Sequence, residues 1–426
     1  MPGKRFLSVI RDRFLLLSNR KFWKSLGILV AFIGPGIITS NVDNDAGGIT
    51  TYSLAGAEYG LSLLWLLIPI TGALVIIQEM GARMGVVSGK GLSDLIRERF
   101  GARVTFYLMI VLFLTNLGNT IAEFAGIAAS MEIFGFSKYF SVTIGAAFVW
   151  WLVVKGNYKS VEKIFLTACL FYLSYIISGF MGKPDWEEVR RATLNPSLRF
   201  DAGYLTMAVG LVGTTIAPWM QFYLQSSVVD KGLKVEDYPY ARLDVVIGSV
   251  MVNVVAFFIV MLCAVTLFQG GIRIETARDA ALALEPMAGK YCSGLFAFGL
   301  LNASLFAASI LPLSTAYTIC EAFGWESSLN RKFLEAPQFY GLYSIMIILG
   351  GGIILLPNVP LISIMYYSQV INGLLLPFIL IIMLLLINDE KIMGRHTNGR
   401  VMNLISWATV AVLIMLSLAT VAAALL

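Results

Sequence analysis

Long apolar runs fill this chain from about residue 25 to its end. A membrane-spanning helix needs about 20 largely apolar residues. On that measure the pattern predicts eleven spans, at about 25–58, 61–82, 104–134, 138–155, 161–182, 202–229, 241–269, 291–322, 337–356, 361–387 and 401–425. Two of them are broken by polar residues, Gly and Pro. The first carries Gly34-Pro35-Gly36 and then Asn41-Val42-Asp43-Asn44-Asp45-Ala46-Gly47-Gly48. The sixth carries Gly213-Thr214-Thr215-Ile216-Ala217-Pro218-Trp219. The breaks lie five spans apart, which points to a five-plus-five inverted repeat with binding groups at the bilayer midplane. Irregular backbone at that depth survives only where it is buried in protein or lines a cavity.

The predicted fold is therefore all-α and polytopic, with about 11 transmembrane helices. The transport core covers 25–387, with repeats over about 25–182 and 202–387, and 401–425 is an additional C-terminal helix. Residues 1–24 are basic with apolar residues interleaved, as in an amphipathic helix lying on the inner leaflet. The polar segments 183–201 and 270–290 read as long linkers.

Composition narrows the classes. The 426 residues are 58% hydrophobic and 13% charged, against about 25% charged in soluble domains. The four cysteines are scattered without a CxxC, so no disulfide framework is expected. The single histidine, His396, excludes a zinc site built on histidines. No convergent acid–base–nucleophile set is present, which argues against an enzyme. The expected partners are the bilayer and a small ion, not nucleic acid, with the chain acting as a monomer. No cleavable signal peptide is apparent. Of the 31 Lys and Arg, 23 fall in segments that are cytoplasmic if the N-terminus is inside, so the expected topology is N-terminus in and C-terminus out.

The first break holds the most telling chemistry. A carboxylate at mid-membrane costs a few kcal/mol or more unless it is paired. Asp43 and Asp45 have no Lys or Arg within their span. A bound cation is the natural partner, because Asn41, Asn44 and the carbonyls freed near Gly47 and Gly48 are hard oxygen donors suited to Mg²⁺, Ca²⁺ or Mn²⁺. An EF-hand reading fails, since Gly47 and Leu54 stand where that loop needs ligands. A surface turn would leave 26–40 to span alone with only about 15 residues. Elsewhere, Glu123, Asn116 and Asn119 in the third span either line a vestibule or tie helices together. Gln369 and Asn372 in the tenth span are three apart, and Trp219 is either a gate or a filler.

These residues resemble a known family. Gly34-Pro35-Gly36, Ser40, Asp45, Gly47 and Gly56-Ala57-Glu58-Tyr59-Gly60 are similar to the first helix of the Nramp divalent-metal transporters, GPG…S…DPGN…GAEFG. Residues 85–100 and 368–378 resemble the loop after their second helix and their tenth helix. The resemblance implies the LeuT-like fold, alternating access and a transported divalent cation bound by Asp45, with no cofactor. It also implies a prokaryotic inner or plasma membrane.

The departures from that pattern shape the expectation. Gly48 stands where the family has asparagine, Ala217 where it has methionine, and Trp219 where it has a histidine linked to protons. Asn116 and Asn119 stand at the acid pair of proton-coupled members. A thioether favours transition ions, so losing it favours a hard ion. Mg²⁺ keeps several waters around one or two carboxylates. The pattern is closest to the Nramp-related magnesium transporters. The expected function is uptake of partly hydrated Mg²⁺, and also Mn²⁺, without proton coupling. Asp45 is the main ligand, with oxygens from Asn44, Thr214, Ala217, Gln221 and Gln369, the backbone at Gly48, and Asp43 at the site or its approach. The competing expectation is a proton-coupled Mn²⁺/Fe²⁺ transporter.

Overall fold

The computed structural model describes residues 35–155, 172–285, 289–329 and 331–425. The amphipathic helix expected over 1–24 and the first half of the fifth span, 161–171, lie outside these residues. The described residues form helices joined by turns, and the first break is where the sequence places it. Helix α1 (Pro35–Val42) stops at Asp43, and α2 (Ala46–Tyr59) starts after Asp45. A 3-10 turn over Gly60–Leu66 leads into α3 (Leu67–Ser88). Helix α4 (Leu92–Ile133) bends at Gly101, whose φ of 81° no helical residue adopts. The predicted start of the third span near 104 falls just beyond this bend. Helix α5 (Lys138–Lys155) follows, and α6 (Leu173–Met181) is the described end of the fifth span.

The polar linker at 183–201 is partly helical. Helix α7 (Trp186–Leu194) starts where the Asp185 carboxylate accepts from the amides of Glu187 and Glu188, at 2.9 and 3.3 Å. The second half begins with α8 (Ala202–Thr215). It breaks at Ile216 and Ala217 and resumes as α9 (Pro218–Asp230), with proline at the first helical position, where its missing N–H costs nothing. Then come α10 (Tyr238–Cys263), α11 (Cys292–Phe323), α12 (Pro337–Ile354), α13 (Leu361–Ile387) and α14 (Arg400–Leu425).

Eight helical stretches among the described residues are long and apolar enough to cross a membrane. The eleven expected spans exceed that number because α2 and α3 run together through the 3-10 turn, α5 ends in lysines, and the fifth span is only partly described. Burial separates centre from periphery. The apolar stretch of Ala202–Asp230 is 94% buried, whereas that of Arg400–Ala423 is 22% buried. The broken sixth helix is thus the core of the molecule. The last helix shows Val401, Leu404 and Leu418 outward, as lipid contact requires. Helix α8 lies along α13 and α2, α4 runs along α11, and α10 crosses α1, α2 and α3.

Candidate cation site

The interrupted segments meet. A side chain added at Gly48 would collide with the Asp43 carbonyl and lie 3.2 Å from Thr214 Oγ1. The first turn of α2 therefore touches the last turn of α8. One turn on, the Tyr52 and Thr215 hydroxyls hydrogen-bond at 2.9 Å. Gly47 faces Gln369 of α13 so closely that any side chain there would displace its amide. Glycine at 47 and 48 is needed for this approach of three elements.

Asp45 caps α2. Its Oδ1 accepts from the Gly48 amide at 2.6 Å, which satisfies one orphan donor of the helix start. Asp43 and Asn44 differ from it. Both are fully buried, yet neither Asp43 oxygen nor either polar atom of the Asn44 side chain has a hydrogen-bond partner among the described residues. The Asn44 carbonyl accepts from the Tyr172 hydroxyl at 3.0 Å, which fixes the unwound strand. Among the described residues no three of His, Cys, Asp and Glu gather into a metal cage. A cation here would complete its shell from amides, hydroxyls, carbonyls and water.

The other expected ligands are distributed unevenly. Thr214 lies at the meeting point beside Gly48. The Ala217 carbonyl accepts from the Met220 amide at 3.2 Å and from Gln221 Nε2 at 3.4 Å. Gln221 also accepts from Gln78 of α3 at 3.4 Å, so its side chain is engaged between helices. Gln369 accepts from Asn372 at 2.9 Å while standing over Gly47.

The third span answers the question left open in the sequence. Asn119 and Asn372 exchange two hydrogen bonds at 3.0 Å, and Asn116 donates to Thr315 at 3.0 Å. These asparagines tie α4 to α13 and α11. Trp219 is buried, its ring 6.3 Å from that of Tyr223. Glu123, by contrast, enters the site. Its Oε2 accepts from the Ala46 amide at 3.2 Å, and its carboxyl faces that of Asp45. The expectation that titratable groups are lost around the site is therefore corrected, because Glu123 remains in contact with it.

Asp244 was passed over in the sequence. Its carboxylate accepts from the amides of Gly36 at 2.6 Å and Ile37 at 3.3 Å, capping α1 from α10. An acid inside the apolar run 241–269 was the available signal. A second buried group also escaped notice. Arg83 pairs with Glu79 at 3.1 Å and donates to the His396 carbonyl at 3.0 Å and to Asn398, tying α3 to the segment before α14.

Comparisons with known proteins give the family and the fold. Residues 36–423 match the family model described as "Natural resistance-associated macrophage protein-like", Nramp. The chain is 26% identical to the divalent metal cation transporter MntH of Deinococcus radiodurans, over 91% of this chain and 89% of that one. It is 28% identical to MntH of Ralstonia nicotianae, over 95% and 93%. The fold matches the crystal structure of the Eremococcus coleocola manganese transporter with a TM-score of 0.78 at 21% identity, covering 94% of this chain and 87% of that one. Mhp1, a nucleobase–cation symporter, matches at a TM-score of 0.57 and 16% identity, over 92% and 91%. Together with the two broken helices, these matches give the LeuT-like architecture, and the chain belongs to the Nramp family.

Proposed function

We propose that this protein carries divalent cations across a membrane by alternating access, taking Mg²⁺ and also Mn²⁺ as a partly hydrated ion. The observation that carries this reading is the buried Asp43 and Asn44 beside Asp45, whose side chains have no hydrogen-bond partner among the described residues, where two broken helices meet. Desolvated carboxylates demand a counter-charge, and the side chains of Asp43, Asn44, Asp45 and Thr214 offer oxygens for it. Ala217 brings no sulfur to the second break, and a hard ion is favoured where a thioether is missing. Asp45 is the main anionic ligand, with Asn44, Thr214, the Ala217 carbonyl and Gln369 contributing directly or through water. The relatives named for divalent metal and manganese transport support the cation class. Inward movement is driven by the ion gradient and an inside-negative potential, about 2.3 kcal/mol per charge per 100 mV.

One observation favours a second reading. Glu123 facing Asp45 supplies a carboxyl that a proton-coupled Mn²⁺ transporter would use. Mg²⁺ competition against Mn²⁺ uptake in proteoliposomes tests the first reading. Competition at comparable concentrations supports it, and insensitivity to a large Mg²⁺ excess refutes it.

A further inference from the structure

A cavity of about 410 Å³ opens between the end of α2 and the starts of α8 and α13. The Lys and Arg distribution assigns this face to the outside. Its walls carry Glu58 and Tyr59 from α2, Thr206 from α8, and Ser363 and Tyr366 from α13. Water occupies about 30 Å³ per molecule, so a cation with an octahedral water shell fits with room to spare. The cavity stands on the same three elements that meet at Asp45. Glu58 is thirteen residues along α2 from Asp45, a rise of about 20 Å. Tyr366 is one turn from Gln369, and its ring packs over Gly210 of α8, where a side chain would lie 3.2 Å away.

Glu58 is the exposed carboxylate of this cavity. Arg273, beside the lining residue Ile274, is the cation whose charge reaches it. Arg199 and Asp201 act on Tyr59 in opposite senses. Glu58 and Arg273 oppose each other here, so neutralising either one leaves a cleft of one net sign, which shifts the local concentration of a cation by tenfold or more. Hydroxyls from Thr206 and Ser363 suit the outer waters of a hydrated cation, not a bare ion.

We propose that this vestibule is a recruitment site for a hydrated divalent cation, with Glu58 as its anionic post and Arg273 as the charge that limits its occupancy. The inference rests on the transport reading above. It predicts opposite effects of two neutralising substitutions. Mn²⁺ uptake is measured over a concentration series in intact cells expressing the full chain, where all copies face one way, with variant levels matched. Glu58→Gln raises KM about threefold or more with Vmax unchanged, Glu58→Asp restores it, and Arg273→Gln lowers it. Both differences shrink as ionic strength rises. An unchanged KM in Glu58→Gln, or both substitutions moving KM in one direction, overturns the proposal while leaving the transport reading intact. Absence of saturable uptake by the unaltered protein overturns the transport reading itself.

Discussion

Glu123 of α4 meets the broken first helix at its restart, its Oε2 accepting from the Ala46 amide at 3.2 Å. The same carboxyl faces Asp45, and its other oxygen has no partner among the described residues. Two carboxyl groups in contact need a cation or a proton between them. In the uncoupled account Glu123 stays neutral through the cycle and only positions the start of α2.

Substituting Glu123 separates the two readings. Glu123→Gln keeps shape and hydrogen bonding, so the uncoupled account expects Mn²⁺ uptake within about twofold of the original across pH. Glu123→Ala leaves the Ala46 amide without its partner, a loss of about 1–3 kcal/mol, and transport falls. A fluorescent lumenal pH probe checks the same point. No acidification accompanies uptake if the ion moves alone, whereas acidification and a Glu123→Gln variant that no longer takes up the ion establish coupling.

The cap on α1 has a structural consequence. Asp244→Ala strips two amides of a charged acceptor at a helix N-terminus, which costs about 1–3 kcal/mol. A lower melting temperature in detergent and weaker transport are expected, with Asp244→Asn intermediate. Thermal unfolding of the three purified proteins checks the order.

The two glycines at the break carry different penalties. At Gly48 an added methyl meets the Asp43 backbone carbonyl, which cannot move without displacing the unwound segment. At Gly47 it meets the flexible end of Gln369. Gly48→Ala is expected to abolish uptake, and Gly47→Ala to weaken it while protein levels hold. Parallel flux assays decide the ranking.

Ala217 tests selectivity. Ala217→Met places a thioether at the second break and converts part of the site to a soft donor. Competition by Cd²⁺ against Mn²⁺ uptake should strengthen by about tenfold, and competition by Mg²⁺ should weaken. Unchanged inhibition by both ions would show that residue 217 does not face the transported ion.

Local chemistry made the breaks legible. Asp43, Asn44 and Asp45 announced the first because charge in an apolar run has few uses, and Pro218 fixed the restart of α9. What the pattern did not disclose was distance in space. The Asp244 cap joins residues 208 apart in the chain, and the Arg83–Asn398 contact joins residues 315 apart. Periodicity is blind to such pairs. Asn116 and Asn119 were visible as a polar pair, but only packing showed that they bind Thr315 and Asn372. Trp219 likewise needed its surroundings, which show it packed against Tyr223.

The most direct test of the account is Mg²⁺ flux into proteoliposomes loaded with a Mg²⁺-sensitive dye, with Asp45→Ala as control. The account predicts saturable Mg²⁺ entry by the unaltered protein and none by the variant. Mn²⁺ entry without Mg²⁺ entry, or Mg²⁺ entry that survives Asp45→Ala, would contradict it.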